Sequence, residues 1–202
     1  MRIGEQFAPF VTDLNFPLPP IAGHYSGGKL IICGDGSGLW EDLTRFECRR
    51  MEGRGSVAKR GWQFMTLNKV IELFPGFVEH AYSNHPEDLL TFYAARRPEY
   101  KREFPQFTHM HSCFNGVTWL WPWNGLGTSA LAACLTAVCL GYDEIVLAGI
   151  PMDNGPHNGE PPWRKCNFEQ KDIEKHFRRA IEIFGGKVKS LSGRTADWLG
   201  TV

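Results

Sequence analysis

The chain has 202 residues, and its 22 Lys plus Arg are balanced by 22 Asp plus Glu. That length supports one sizeable domain with its own core. A formal net charge of +0 removes the global field that draws a protein to nucleic acid or to an anionic membrane surface.

Residues 1–27 are rich in Pro, Gly and aromatic side chains, among them Pro17, Pro19, Pro20 and Gly27. They read as an arm laid over a domain formed by residues 28–202. The first ten residues include Arg2 and Glu5 and no continuous apolar run, so no signal peptide is expected. Residues 29–33, Lys-Leu-Ile-Ile-Cys, predict a short buried strand. Gly34-Asp35-Gly36-Ser37-Gly38 follows it, and 39–46 predict a short helix. Strand, glycine-rich loop and helix are how a nucleotide-binding βαβ unit opens. The small residues let a backbone come close to a phosphate or ribose. The run is not Gly-x-Gly-x-x-Gly, and no Lys-Ser/Thr follows it, so neither the dinucleotide fingerprint nor the P-loop is met. Arg45, Arg49, Arg50, Arg54, Lys59 and Arg60 read as a solvated helix end and loop, or as a local basic patch.

A second strand is expected over 63–68, ending at Asn68, and a third over 77–82 after the Pro75-Gly76 turn. Residues 86–97 predict a helix with Pro86 in its first turn and Leu89, Leu90 and Tyr93 at helical spacing. Residues 108–114 predict another strand. Four histidines fall here: His80, His85, His109 and His111. His109 and His111 would face one side of a strand, where a pair can bind metal. The plainer reading is a core histidine that is hydrogen-bonded within the protein. Trp119, Trp121 and Trp123, with Phe114 nearby, alternate onto one face. They suit stacking on a base or sugar, or packing of the core and arm.

The most informative stretch is Gly125-Leu126-Gly127-Thr128-Ser129 followed by residues 130–140, which carry no charge. It predicts a glycine-hinged loop and a helix apolar nearly all round, hence enclosed. Thr128 and Ser129 can cap it. The free N–H groups of its first turn, with the positive end of its dipole, make an anion site. Gly141 suits a left-handed stop. A strand over 144–147 ends in Ala148-Gly149 and runs into Pro151, Asp153 and His157. Polar residues at the carboxyl end of a buried strand lie where open α/β sheets bind ligands. Asp153 and His157 therefore read as an acid–base pair at the strand mouth, or as an Asx-type turn beside a surface histidine. Residues 154–170 form the one long irregular loop, a candidate lid. An amphipathic helix over 172–184, a strand over 187–191 and a helical turn over 195–199 complete the chain.

Strands alternating with helices predict an α/β fold: a single Rossmann-like domain with a mainly parallel sheet and helices on both faces. The six cysteines show no C-x-x-C pairing. They read as free thiols of a reducing cytoplasm, and no metal site is expected. The uncharged run over 114–142 is interrupted by Asn115, Pro122 and Asn124, short of the roughly 20 apolar residues of a membrane span.

Several of these residues form a recognisable set. Residues 29–38, Asn68, Gly127-Thr128-Ser129-Ala130 and Leu140-Gly141-Tyr142-Asp143-Glu144-Ile145-Val146-Leu147-Ala148-Gly149 together resemble a Rossmann-like superfamily. It includes bacterial sialyltransferases that use CMP-sialic acid, MptE-like pterin pyrophosphokinases and motility accessory factors. With Pro75-Gly76, the segment from His80 to Asn84, Asp153, His157 and the segment from Ser190 to Thr195, the chain looks like a branch common in tailed bacteriophages and prophages. The resemblance implies that Gly34, Asp35, Gly36, Ser37, Asn68, Gly127, Thr128 and Ser129 surround a nucleotide. It implies an in-line displacement at an anomeric carbon with a nucleotide leaving group, a histidine as the acceptor's base, and no required metal or other cofactor. His157 is the nearest candidate for that base. Asp35 stands where the family has Asn, and Ser37-Gly38 where it has Pro-Ser. The expected activity is a nucleotide-sugar-dependent transfer. The alternatives are a pyrophosphokinase or nucleotide hydrolase, and a module that binds a nucleotide without turnover.

Overall fold

A computed structural model of the chain describes residues 2–11, 13–50, 57–96, 105–110, 117–123, 126–153, 155–156 and 170–202. In chain order its elements are β1 (Lys29–Cys33), α1 (Leu39–Arg45), the two-residue strands β2 (Arg49–Arg50) and β3 (Val57–Ala58), β4 (Gln63–Leu67), α2 (Val70–Leu73), β5 (His80–Tyr82), α3 (Leu89–Ala95), β6 (Phe107–Met110), β7 (Trp119–Leu120), α4 (Ser129–Leu140), β8 (Glu144–Ala148), α5 (Gln170–Phe184), β9 (Val188–Ser190) and α6 (Gly193–Leu199). Seven of the strands form one sheet in the order β7-β6-β5-β4-β1-β8-β9. Every pairing within it is parallel. The α/β architecture expected from the sequence is the one observed.

The sheet's order follows from burial. β1 is buried from Leu30 through Cys33, as a strand covered on both faces must be. Successive side chains alternate between those faces. Leu30 and Ile32 join Met65, Leu67, Ile145 and Leu147 against α4 and against Ile173, Phe177, Ala180 and Phe184 of α5. Ile31 and Cys33 join Phe64 and Ala148 against Leu39 and Leu43 of α1 and Val70 and Ile71 of α2. From β1 the chain winds outward through β4, β5, β6 and β7. It then returns through α4 to β8, on the other side of β1. The winding therefore reverses between β1 and β8, the switch point at which such sheets open a crevice beyond their strand ends.

α4 is the central helix, buried at ten of its 12 residues. Gly141 ends it at φ 99°, the left-handed stop expected. The arm completes this end. Gly23 N–H donates to the Cys139 carbonyl and Tyr25 N–H to the Leu140 carbonyl, each at 2.9 Å. A helix leaves its last carbonyls without partners, and here the arm supplies two of the missing donors. Ile3, Phe7, Phe10 and Ile21 of the arm are buried in the same core.

Several boundaries differ from expectation. The strand over 77–82 contracts to His80–Tyr82, because Phe77 is exposed. The expected helix over 86–97 opens with a 3-10 turn, Pro86–Asp88, before α3. The strand expected over 108–114 is β6, one residue earlier at its start, and 111–116 lie outside the described residues. The short elements α2, β2, β3 and β7 were not anticipated. No helix among the described residues is long and apolar enough to cross a membrane. Cys33 and Cys134 are buried free thiols, and burial raises the pKa of both. Cys113 and Cys166 lie outside the described residues.

Gly141→Ala tests the junction between arm and helix. A Cβ there would lie 3.2 Å from the backbone of Gly23 and Ser26, at a positive φ. The variant should lose about 1–2 kcal/mol, read as a lower urea midpoint with an unchanged slope.

Candidate functional site

A cavity of about 560 Å³ opens at the switch point. Its walls come from five places. The end of β1 supplies Gly34, Asp35 and Gly36. The end of β4 supplies Leu67 and Asn68, and the end of β5 supplies Asn84 and His85. The approach to α4 and its first turn supply Trp123, Leu126, Gly127, Thr128, Ser129 and Ala130. The end of β8 supplies Gly149, Ile150, Pro151, Met152 and Asp153. All but the α4 group lie at or just after the end of a parallel strand, so they meet because the strands run the same way. The two glycine-rich bends of the sequence converge here.

The α4 end is built by hydrogen bonds among small polar groups. Thr128 is the N-cap, and its Oγ1 accepts from Ala130 N–H at 3.2 Å. Ser129 Oγ donates to Asn68 Oδ1 at 3.2 Å. Ser83 Oγ lies 3.0 Å from the same oxygen. With Oδ1 held between two hydroxyls, the Asn68 amide is fixed in orientation. Its Nδ2 has no protein acceptor among the described residues, which leaves it as a donor without a protein partner. Asn68 has φ 47° and Met152 φ 49°. Left-handed backbone at residues other than glycine is costly and gathers at functional sites. Both of these line the cavity.

The β1 bend works differently from its sequence reading. Gly34 N–H donates to the Ala148 carbonyl and Gly36 N–H to the Gly149 carbonyl, each at 2.8 Å. Neither amide is offered to a phosphate. A Cβ on Gly34 would sit 2.7 Å from the Gly149 carbonyl oxygen, and one on Gly36 would sit 2.8 Å from it. These glycines are small so that the ends of β1 and β8 can touch. Ser37 is exposed and does not line the cavity. It turns outward in the bend that leads to α1.

Below the contact lies Asp42 of α1, only 2% exposed. Its Oδ2 accepts from Gly149 N–H at 2.8 Å and from Ser192 Oγ at 2.6 Å. Arg194 N–H donates to the Pro151 carbonyl at 2.8 Å, and Thr195 Oγ1 donates to the Ile150 carbonyl at 2.6 Å. The floor of the cavity is thus held from beneath by α1 and the start of α6. Nothing in the spacing of Asp42 marks this role. It becomes visible only once the segment 149–151 is placed above it.

Asp35 pairs with Lys69 at 2.9 Å, the acid side chain only 9% exposed. Asp153 Oδ1 accepts from Gly155 N–H at 2.9 Å. Asp153 is therefore an Asx-type turn residue that also lines the cavity. Among the described lining residues there are two carboxylates and no Lys or Arg. His157 lies outside the described residues, as does most of the loop 154–170. The histidine that the structure brings to the cavity is His85. Sequence reasoning grouped it only with the other histidines. The signal for it was the same as for Asn68 and Asp153, a polar run directly after a buried strand.

His80 and His109 are core residues, 0% exposed. His111 lies outside the described residues. A single line of hydrogen bonds fixes both tautomers. Trp121 Nε1–H can only donate, and it donates to His109 Nδ1 at 2.9 Å. His109 therefore carries its proton on Nε2, 2.9 Å from His80 Nδ1. His80 in turn carries its proton on Nε2, 2.8 Å from the Tyr142 hydroxyl, which donates to Gln63 Oε1 at 2.6 Å. Each ring is satisfied as a neutral imidazole, which leaves no lone pair free for a metal. Burial lowers the pKa of His80 to about 3. Burial, then the neighbouring His80, holds His109 well below its ordinary range. The tryptophans follow the packing reading. Trp121 and Trp123 stack 6.2 Å apart in the core, and only Trp123 also reaches the cavity wall.

Comparison with known proteins finds no matching family model, no matching curated sequence and no matching solved structure. The likeness to the sialyltransferase-type superfamily rests on the quoted residues alone.

The histidine pair sets a pH dependence. Above the ordinary value of 6.5 folded and unfolded chains both hold neutral imidazoles, and stability is highest. Below it the unfolded chain takes up protons that the folded chain refuses. Each buried histidine should therefore cost about 1.4 kcal/mol of stability per pH unit below 6.5. Urea unfolding between pH 7 and 5 reads this slope, and replacing both histidines by Phe should flatten it.

Proposed function

We propose that this chain binds a nucleotide or nucleotide-activated sugar in the switch-point cavity and transfers the activated group with the nucleotide as leaving group. The observation that carries the reading is the cavity's position. It lies beyond the carboxyl ends of β1 and β8, where the winding reverses, with the N-terminus of α4 opening onto it. Such crevices bind nucleotides in open α/β sheets, and a helix start favours a phosphate. Gly127, Thr128 and Ser129 would hold the phosphate, and Asn68 would donate through Nδ2. Leu126, Ile150 and Met152 give the apolar wall that a base or sugar face needs. A volume of about 560 Å³ falls within the range of small-molecule sites. Asp153 would stand at the reacting end; the resemblance implies a histidine base, for which His157, outside the described residues, is the nearest candidate in the sequence.

A second reading is a magnesium-dependent nucleotide enzyme, a pyrophosphokinase or hydrolase. Two carboxylates line the cavity, Asp35 and Asp153, and no described lining residue is Lys or Arg. That balance suits a nucleotide carrying a divalent cation better than a bare diphosphate.

A thermal-shift screen with CMP, UMP, GMP, AMP and their sugar conjugates tests the first reading. One of them should stabilise the fold by about 2.7 kcal/mol at a hundredfold excess over Kd, in EDTA as well as in magnesium. Stabilisation confined to magnesium selects the second reading. No shift with any nucleotide overturns both.

A further inference from the structure

We propose that Asp35 and Asp153 set the substrate class of the cavity: it accepts a nucleotide conjugate whose transferred group is neutral or carries an amine, and it refuses one that carries a carboxylate. The inference rests on the nucleotide-donor reading above and adds the chemistry of the transferred group.

Both carboxylates hang from bends that the contact between β1 and β8 brings together. Asp35 stands between Gly34 and Gly36, whose N–H groups donate to the carbonyls of Ala148 and Gly149. Asp153 follows on the same exit from β8, and both residues line the cavity. Each is held in place. Lys69 Nζ pairs with Asp35 Oδ2 at 2.9 Å, and Asp153 Oδ1 accepts from Gly155 N–H at 2.9 Å.

Lys69 does not cancel this charge. It stands behind Asp35, outside the set of lining residues. Glu72 of α2 feels the same pair. Burial raises its carboxyl pKa, Lys69 lowers it and Asp35 raises it. Asp35, Glu72 and Asp153 therefore stand against Lys69 around this end, and no described lining residue is Lys or Arg.

The opposite wall has the other polarity. There the capped first turn of α4 opens onto the cavity, and a helix start favours an anion. The cavity thus welcomes one anionic group at α4 and opposes a second at the strand ends. A hydroxyl or an ammonium on the ligand can donate to either carboxylate. A ligand carboxylate would meet like charge after giving up its water. Selective sites use such repulsion as well as attraction. A sialic acid carries a carboxylate and falls on the refused side.

The test measures binding to the full chain by calorimetry, in EDTA so that no divalent cation screens the carboxylates. The probes are UDP, UDP-glucose, UDP-glucosamine and UDP-glucuronate; GDP, GDP-mannose and GDP-mannuronate; and CMP beside CMP-N-acetylneuraminate. Glucose and glucuronate differ by a hydroxymethyl group against a carboxylate, so their sizes nearly match. On whichever nucleotide binds, the acidic conjugate should bind about tenfold or more weakly than the neutral one, or than bare CMP in the cytidine series. UDP-glucosamine should bind at least as tightly as UDP-glucose. Asp153→Asn keeps an acceptor for Gly155 N–H and should shrink the ratio of neutral to acidic affinity. Asp35→Asn should shrink it as well, and added salt should narrow it in the wild type. If the wild type binds none of the probes, the reading of the cavity falls and the selectivity falls with it. If it binds a nucleotide but takes neutral and acidic conjugates equally well, the cavity reading stands and the selectivity is overturned. A ratio that persists undiminished in both Asn variants also overturns it, because the discrimination then does not come from these carboxylates.

Discussion

The contact between the ends of β1 and β8 is the constraint on which the rest of the molecule depends. Two neighbouring parallel strands must separate where the chain leaves them, because each feeds a connection that departs to a different place. Here the backbone of Gly34 and Gly36 stays hydrogen-bonded to residues 148 and 149 past the last sheet pair. The contact exists only because no side chain intervenes at either glycine. Asp42 secures it by accepting from Gly149 N–H and from Ser192 Oγ. One carboxylate thereby ties the first helix, the switch strand and the entry to the last helix. The crevice opens above this seal, so the floor is rigid and the variable chemistry lies on the loops around it.

A second rigid body stands behind the other wall. The chain of donors from Trp121 through His109, His80 and Tyr142 to Gln63 crosses from beyond β7 to β4. Every member has a partner, so burial of this much polarity does not leave an unsatisfied group. Tyr25 of the arm stacks on Tyr142 at 4.8 Å, which closes the network from outside. The arm belongs to the architecture in the same sense. It supplies donors to the end of α4 and side chains to the core, and Phe7 packs on Trp123, a wall of the cavity.

The cavity's polarity is uneven. At the α4 end are hydroxyls, an amide donor and the positive end of a long buried helix. At the β1 and β8 ends are carboxylates. A ligand that is anionic at one end and rich in hydroxyl groups at the other fits that gradient, since hydroxyls donate to carboxylates and phosphate accepts from the helix start. The nucleotide sugar proposed above has this character.

Much of the fold was legible in the chain. The buried strands at 29–33 and 144–147, the capped apolar helix between Thr128 and Gly141, and the amphipathic helix ending at Phe184 are local patterns, and local patterns survive into any compact fold. Asn68 and Asp153, which follow strands, and Gly127, Thr128 and Ser129 at the start of the capped helix were legible too, and all reach one cavity. Other features were decided by residues far apart in the chain. The glycines of the β1 bend turned out to face β8 rather than a ligand. Ser37 turned outward, His80 and His109 became a neutral pair, and Asp42 became the clamp. Composition and periodicity determined the main strands and helices and that the sheet is mainly parallel. Only the tertiary structure decided which backbone amides are already satisfied, because a hydrogen bond between Gly36 and Gly149 depends on how the sheet winds and not on the residues beside either one.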